Sequence, residues 1–277
     1  MSEVAVLEND DLSDLYASYQ SGPVLSQVTL NKPGILATGN VVPLGVKVTG
    51  TTHGDVYGSK VRFRIYMDRM QTSVYDEDTQ NYSNMSMYFS TYKGVTLDWY
   101  GGDKCGWVTS KEREALKVVD PIAYAVARKV KLSRTLFGTI SVDDAVNDAG
   151  ESVVVEDVVC RMKLGPSNFF EISGVIGKMV AQDCLPIMYD VQFNFRMEKK
   201  GSNEFVVLSY TPLLTKRHEL TVETVEIKNN FLDLIRVDND KVRTRMRANV
   251  GNDTDSEVLD QFDPDVIVNE MDDEIPF

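Results

Sequence analysis

The sequence predicts an all-β protein, mainly strands with small helical additions, and three observations carry that expectation. Runs rich in Val, Ile, Thr, Phe and Tyr recur over 35–48, 60–67, 95–99, 123–140, 153–163, 169–175, 188–197, 205–210 and 220–227. Clusters of Gly, Asn, Asp and Pro separate many of them, at 31–34, 101–106, 147–150, 165–168 and 200–203. The helical candidates are short, around 110–118 and 229–235. Many strands with turn signals between them point to a barrel or a sandwich.

In chain order, residues 1–22 read as an acidic arm with a short helix over 12–16. Residues 23–250 read as a β-rich core, and 251–277 as a disordered acidic tail. Within the core, 71–84 is polar and acidic and reads as a long loop. The Gly-rich stretch 101–106 reads as a tight turn.

The net charge of −13 belongs to the ends. Of 42 acids, five lie in residues 1–16 and ten in 251–277, where there is no Lys or Arg; the 27 between face all 29 basic residues. The core can therefore carry a basic surface. An apolar fraction of 43% and a charged fraction of 26% are ordinary for a soluble protein. No run approaches the ~20 apolar residues of a membrane span. The first residues, MSEVAVLENDD, lack a basic region and an apolar stretch, so no secretory signal and a cytoplasmic setting are expected. Cys105, Cys160, Cys184, His53 and His218 show no spacing that pre-places two metal ligands. No metal and no cofactor is expected.

The clearest pattern in the core is Lys60-Val61-Arg62-Phe63-Arg64-Ile65-Tyr66-Met67. As a strand it sends Val61, Phe63, Ile65 and Met67 to one face, and Lys60, Arg62, Arg64 and Tyr66 to the other. Cations that track phosphates and rings on which bases stack are what single-strand binding requires. Tyr88, Tyr92, Trp99 and Trp107 follow as ring candidates. Lys129, Lys131 and Arg134, then Lys216 and Arg217, then Lys241, Arg243 and Arg245 follow as phosphate candidates. The set from Lys241 onward reads either as one face of an extended segment or as cations spread around a helix. Each basic set also reads as ordinary solvated surface.

Signals for catalysis are thin. There is no GxxxxGK[ST] loop and no GxSxG elbow. The acid pairs Asp143–Asp144 and Glu156–Asp157 sit in a turn-rich stretch and read as solvated. A binding protein rather than an enzyme is expected.

The chain ends in Asp272-Asp273-Glu274-Ile275-Pro276-Phe277. This tip resembles the acidic C-terminus of bacterial single-stranded DNA-binding proteins and of phage single-stranded DNA-binding proteins that end in acids and Phe. The resemblance implies that the tip docks on replication and recombination enzymes, with the Phe277 ring in an apolar pocket and the acids against a basic rim. It also implies, for a chain this long, an oligonucleotide-binding (OB-fold-like) barrel with insertions. The implied function is sequence-independent binding of single-stranded DNA in phage DNA replication, recombination and repair, in the host cytoplasm. A phage virion or assembly protein and a metal-dependent nuclease are the alternatives.

Overall fold

The structure, a computed structural model, describes residues 25–250. It overturns the all-β barrel. The described residues form a mixed α/β fold, one open ten-stranded sheet with four helices, and no barrel closes.

Twelve strands occur in chain order: β1 Ser26–Asn31, β2 Gly34–Ile35, β3 Val41–Val42, β4 Gly45–Thr51, β5 Gly54–Gly58, β6 Val61–Asp76, β7 Asn81–Met85, β8 Val130–Val142, β9 Val146–Asn147, β10 Val155–Leu164, β11 Asp190–Lys200 and β12 Asn203–Leu213. The helices are α1 Ser110–Val119, α2 Pro121–Lys129, α3 Pro166–Ala181 and α4 Val222–Val250. The large sheet runs β12-β11-β6-β8-β10-β1-β4-β5-β9, with β7 added to β6, while β2 and β3 form a separate hairpin. Only β1 and β10 pair in parallel.

Four expectations fail for identifiable local reasons. Residues 123–129 belong to α2, whose start combines Pro121 at the first turn with Asp120 accepting from the Ile122 and Ala123 amides. Both are helix-start signals. Residues 169–175 lie in α3, where Pro166 again opens the helix and Phe169, Ile172 and Met179 fall on one buried face. Residues 220–227 lead into and begin α4, a 29-residue helix that also contains the short helix expected at 229–235 and buries Phe231, Ile235, Asn239, Val242 and Met246 at steps of three and four. The loop expected at 71–84 is largely strand, the end of β6 returning through β7. Residues 95–99 make only isolated bridges. The arm (1–22) and the tail (251–277) fall outside the described residues.

The sheet has two differently packed faces. On one, Val28, Val46, Val48, Val56, Val61, Phe63, Leu136, Ile140, Met162 and Phe193 form the larger core, with Phe169, Ile172 and Met179 of α3 against it. On the other, Tyr66, Met67 and Phe137 meet Phe231 and Ile235 of α4. The β6 alternation holds from Val61 to Ile65 and breaks at a bulge: Ile65 pairs Gly138, yet Met67 pairs Phe137. Met67 therefore joins Tyr66 under α4 and does not follow Ile65 into the larger core.

An open sheet leaves edges. At the β12 edge the Asn168 side chain accepts from the Leu208 amide at 2.9 Å and donates to the Val206 carbonyl at 3.2 Å, as a neighbouring strand would. The opposite edge strand, β9, has only two residues.

The docking of α4 makes a test. Phe231 is fully buried, 5.6 Å from the Phe137 ring and 5.8 Å from Tyr66. Phe231→Ala should lower unfolding free energy by about 3–5 kcal/mol, the usual range for a buried Phe truncation, read by urea denaturation. A loss under about 1 kcal/mol would mean α4 is not anchored there.

Candidate nucleic-acid interface

Beside the Phe231 contact, the α4-facing side of the sheet opens into a groove of about 460 Å³. Its floor follows from strand alternation. Because Cys160, Met162 and Leu164 of β10 enter the larger core, Arg161 and Lys163 face the groove. By the same rule Leu136 sends Thr135 across, Val28 sends Gln27, and Met70 sends Gln71. Met85 ends the floor at β7.

The wall is the second half of α4, with Asp238, Lys241, Val242 and Arg245 at helical spacing. Tyr88 and Trp99 complete the lining. Tyr88 is fixed at both ends: its amide donates to Asn239 Oδ1 at 2.8 Å, and its ring meets Phe137 edge-on at 5.9 Å. Burial pushes its hydroxyl above the ordinary tyrosine pKa, and the Asp238 charge adds to this.

Trp99 rides on a turn built around one carboxylate. Asp98, 2% exposed, accepts from the Tyr100 and Gly102 amides through one oxygen and from the Cys105 amide through the other. The Gly-rich stretch is thus a tight turn as expected. Glycine is required at 101, where φ is +76°, and Gly102 lies so close that an added Cβ would stand 3.0 Å from Asp98 Oδ2. Trp99 is held further by Asn84 Oδ1 on its amide and by Asn249 Nδ2 on its carbonyl.

The four groove cations differ in their partners. Arg161 lies 3.3 Å from Asp238 and Lys241 lies 2.9 Å from it. Lys163 and Arg245 make no ion pair among the described residues. Lys163 sits over the Tyr82 ring at 5.4 Å, and Arg245 over the Trp99 ring at 4.1 Å. Desolvation in the groove, and then the neighbouring Arg161 charge, hold Lys163 below the ordinary lysine pKa.

Of the expected site residues, the groove gathers Tyr88, Trp99, Lys241 and Arg245. It does not gather the 60–66 face. Tyr66 is 8% exposed beneath Phe231. Arg64 donates to the Ile187 and Glu219 carbonyls and to Thr224, and Arg62 pairs with Asp143 and Asp190. Lys60 is exposed at the turn before β6. Tyr92 and Trp107 stack on each other at 5.8 Å, with Trp107 against the larger core on the far face. Arg134 is buried there between Asp68 and Ser173. Lys129 and Lys131 are exposed near the start of β8, and Lys216 and Arg217 in the loop after β12. Arg243 pairs with Asp240 at 2.8 Å. The partner-docking residues Asp272 to Phe277 lie outside the described residues.

Sequence reasoning missed Arg161, Lys163, Gln27, Gln71 and Thr135. The signal for two of them was present, because Cys160-Arg161-Met162-Lys163-Leu164 alternates as cleanly as the stretch from Lys60 to Ile65. The acid pairs singled out earlier are in part structural. Asp144 binds the Ser59 and Lys60 amides, and Asp143 holds Arg62. Among the described residues no three His, Cys, Asp or Glu side chains are grouped to hold a metal. No helix there is long and apolar enough to cross a membrane. Comparisons with protein-family models, curated proteins and solved structures return no match to this chain.

Cysteine chemistry gives this region a simple check. Burial pushes the Cys105 thiol up to about 12 and raises Cys160 as well, whereas Cys184 is half-buried. At pH 8 both raised thiols stay protonated and unreactive. A disulfide exchange reagent should therefore titrate Cys184 alone in folded protein, and all three cysteines after denaturation. Fast reaction of a second thiol would contradict the burial of Cys105 behind the Asp98 turn or of Cys160 in the larger core.

Proposed function

We propose that the groove binds single-stranded DNA without regard to sequence, and that the protein is a binding protein of phage DNA replication, recombination and repair acting in the host cytoplasm. The observation that carries this reading is the pair Lys163 and Arg245. Each is a groove cation set on an aromatic ring, with no carboxylate paired to it among the described residues. Such a pair offers charge to a phosphate and, beside it, an apolar plane to a base.

Two further features support the reading, one for indifference to sequence and one for a single strand. The amides that could read base edges are engaged inside the protein. Gln27 accepts from Arg161 and donates to the Leu25 carbonyl, and Gln71 donates to the Ser86 carbonyl. What the groove leaves available is charge and ring surface, which any nucleotide can use. A single strand also fits better than a duplex in a groove of about 460 Å³ walled by one helix.

Titration with oligo-dT tests the reading. Binding should quench Trp99 fluorescence and weaken steeply with salt. The double variant Lys163→Gln with Arg245→Gln should bind more weakly, its log–log salt slope shallower by about 1.4, at about 0.7 per lost single-strand phosphate contact. Lys60→Gln, remote from the groove, should bind like the parent. No oligo-dT binding at low salt by folded protein would overturn the proposal.

The C-terminal tip belongs to the same proposal, as the element that recruits replication and recombination enzymes. Its support is the sequence alone: three acids, then Ile275, Pro276 and Phe277, which set an aromatic ring beside charges that a basic rim attracts. Removing Phe277 should leave oligo-dT affinity unchanged and abolish capture of a replication enzyme. Retention of every such contact would remove the tip from the account.

A further inference from the structure

Asp238 is the one carboxylate among the described residues that line the groove, and it faces two of the four groove cations. Its Oδ2 lies 3.3 Å from Arg161 Nη1 and its Oδ1 lies 2.9 Å from Lys241 Nζ. Each oxygen thus holds a different cation, one from the sheet and one from α4. Two anionic oxygens bridging two cations reproduce the way a backbone phosphodiester would sit between them. Its side chain is 29% exposed, so solvent and ligand can reach it.

We propose that Asp238 is a built-in phosphate competitor that sets how tightly the groove holds a nucleic acid and how readily it lets go. This rests on the reading of the groove as a single-strand site and adds to it a residue that sets affinity. A phosphate entering between Arg161 and Lys241 takes over the contacts that the carboxylate makes, and it meets the carboxylate's repulsion as it does so. The empty groove keeps its two central cations neutralised. Lys163 and Arg245, held on rings, remain as the first points of capture.

The geometry separates this role from a structural one. A carboxylate that only positioned Arg161 would be replaceable by nothing, and its loss would loosen the groove. Arg161 has a second hold, its Nε donating to Gln27 Oε1 at 3.0 Å. That hold keeps the guanidinium over the groove when the carboxylate charge is gone.

The experiment is oligo-dT titration of Asp238→Asn beside the parent and the Lys163→Gln, Arg245→Gln double variant, with circular dichroism confirming the fold. Asp238→Ser serves as a second neutral replacement should the Asn variant misfold. Removing one negative charge a few ångströms from a phosphate should tighten low-salt binding about five- to tenfold. The gain should shrink as salt rises, and the salt slope should steepen. If the double variant loses affinity but neither Asp238 variant gains any, the competitor is wrong and the groove reading stands. Weaker binding by Asp238→Asn would make Asp238 a positioning residue instead and likewise overturn the proposal. If the double variant binds like the parent, the groove reading falls and the competitor falls with it.

Discussion

Strand β6 changes face once, at the bulge beside Tyr66, and much of the molecule is arranged around that change. Before it, Val61, Phe63 and Ile65 enter the larger core. After it, Met70 does so, and Gln71 turns to the opposite side. At the bulge itself Tyr66 and Met67 both present apolar surface to α4. The neighbour that permits this is Gly138 of β8. A Cβ there would stand 2.0 Å from the Arg64 carbonyl oxygen and 2.6 Å from the Phe63 ring, so only glycine lets the bulged strand lie so close. The bulge gives Phe231 and Ile235 a seat, and α4, once seated, continues far enough along the sheet to wall the groove.

The cations around β6 and those of the groove are used differently, and the difference is one of partners rather than number. Around β6 the cations are absorbed by structure. Arg62 faces Asp143 and Asp190, Arg64 is spent on backbone carbonyls, and Arg134 lies between Asp68 and Ser173. A guanidinium with its donors satisfied by the protein has little to offer a phosphate. In the groove, rings hold Lys163 and Arg245 in place without neutralising them. Orientation without neutralisation is the useful combination for a phosphate contact, because the side-chain entropy is already lost while the charge remains.

How far the sequence disclosed this can be argued residue by residue. The strand pattern was legible wherever one face is buried and the other is not, as at 60–67 and 153–163. The core assignment of Val61, Phe63 and Ile65 follows from that alternation. Helices α2 and α3, and the first turns of α4 ahead of the helix expected at 229–235, were obscured because their apolar residues are largely β-branched or aromatic, the residue types that also fill strands. The signals that decided them were at the ends: Asp120-Pro121, and Gly165-Pro166. The bulge was not legible, since nothing in Ile65-Tyr66-Met67 differs from an unbroken strand; the glycine that admits it lies 72 positions away in β8. For the same reason Tyr66 reads as an exposed ring, although α4, more than 150 residues later, covers it. Of the groove, the helix cations Lys241 and Arg245 were visible as charge. Their convergence with Arg161 and Lys163 depends on tertiary packing alone.

A chain of net charge −13 can still present a basic groove because electrostatics near a surface are local. At physiological salt the screening length is about 8 Å, so charges on distant segments contribute little to the potential inside a groove. What matters is the balance of the lining, four cations against Asp238. That balance is less positive than the count suggests, since Asp238 bridges Arg161 and Lys241 and leaves Lys163 and Arg245 to act over distance. On the proposed reading, a ligand that brings its own phosphates meets the two ring-held cations first, and gains the other pair only by displacing the carboxylate. Affinity in such a groove is then governed by how much better a phosphate satisfies Arg161 and Lys241 than Asp238 already does. That difference is far smaller than the full attraction of four cations for an anion, and a small difference is what lets a protein hold a strand and still release it.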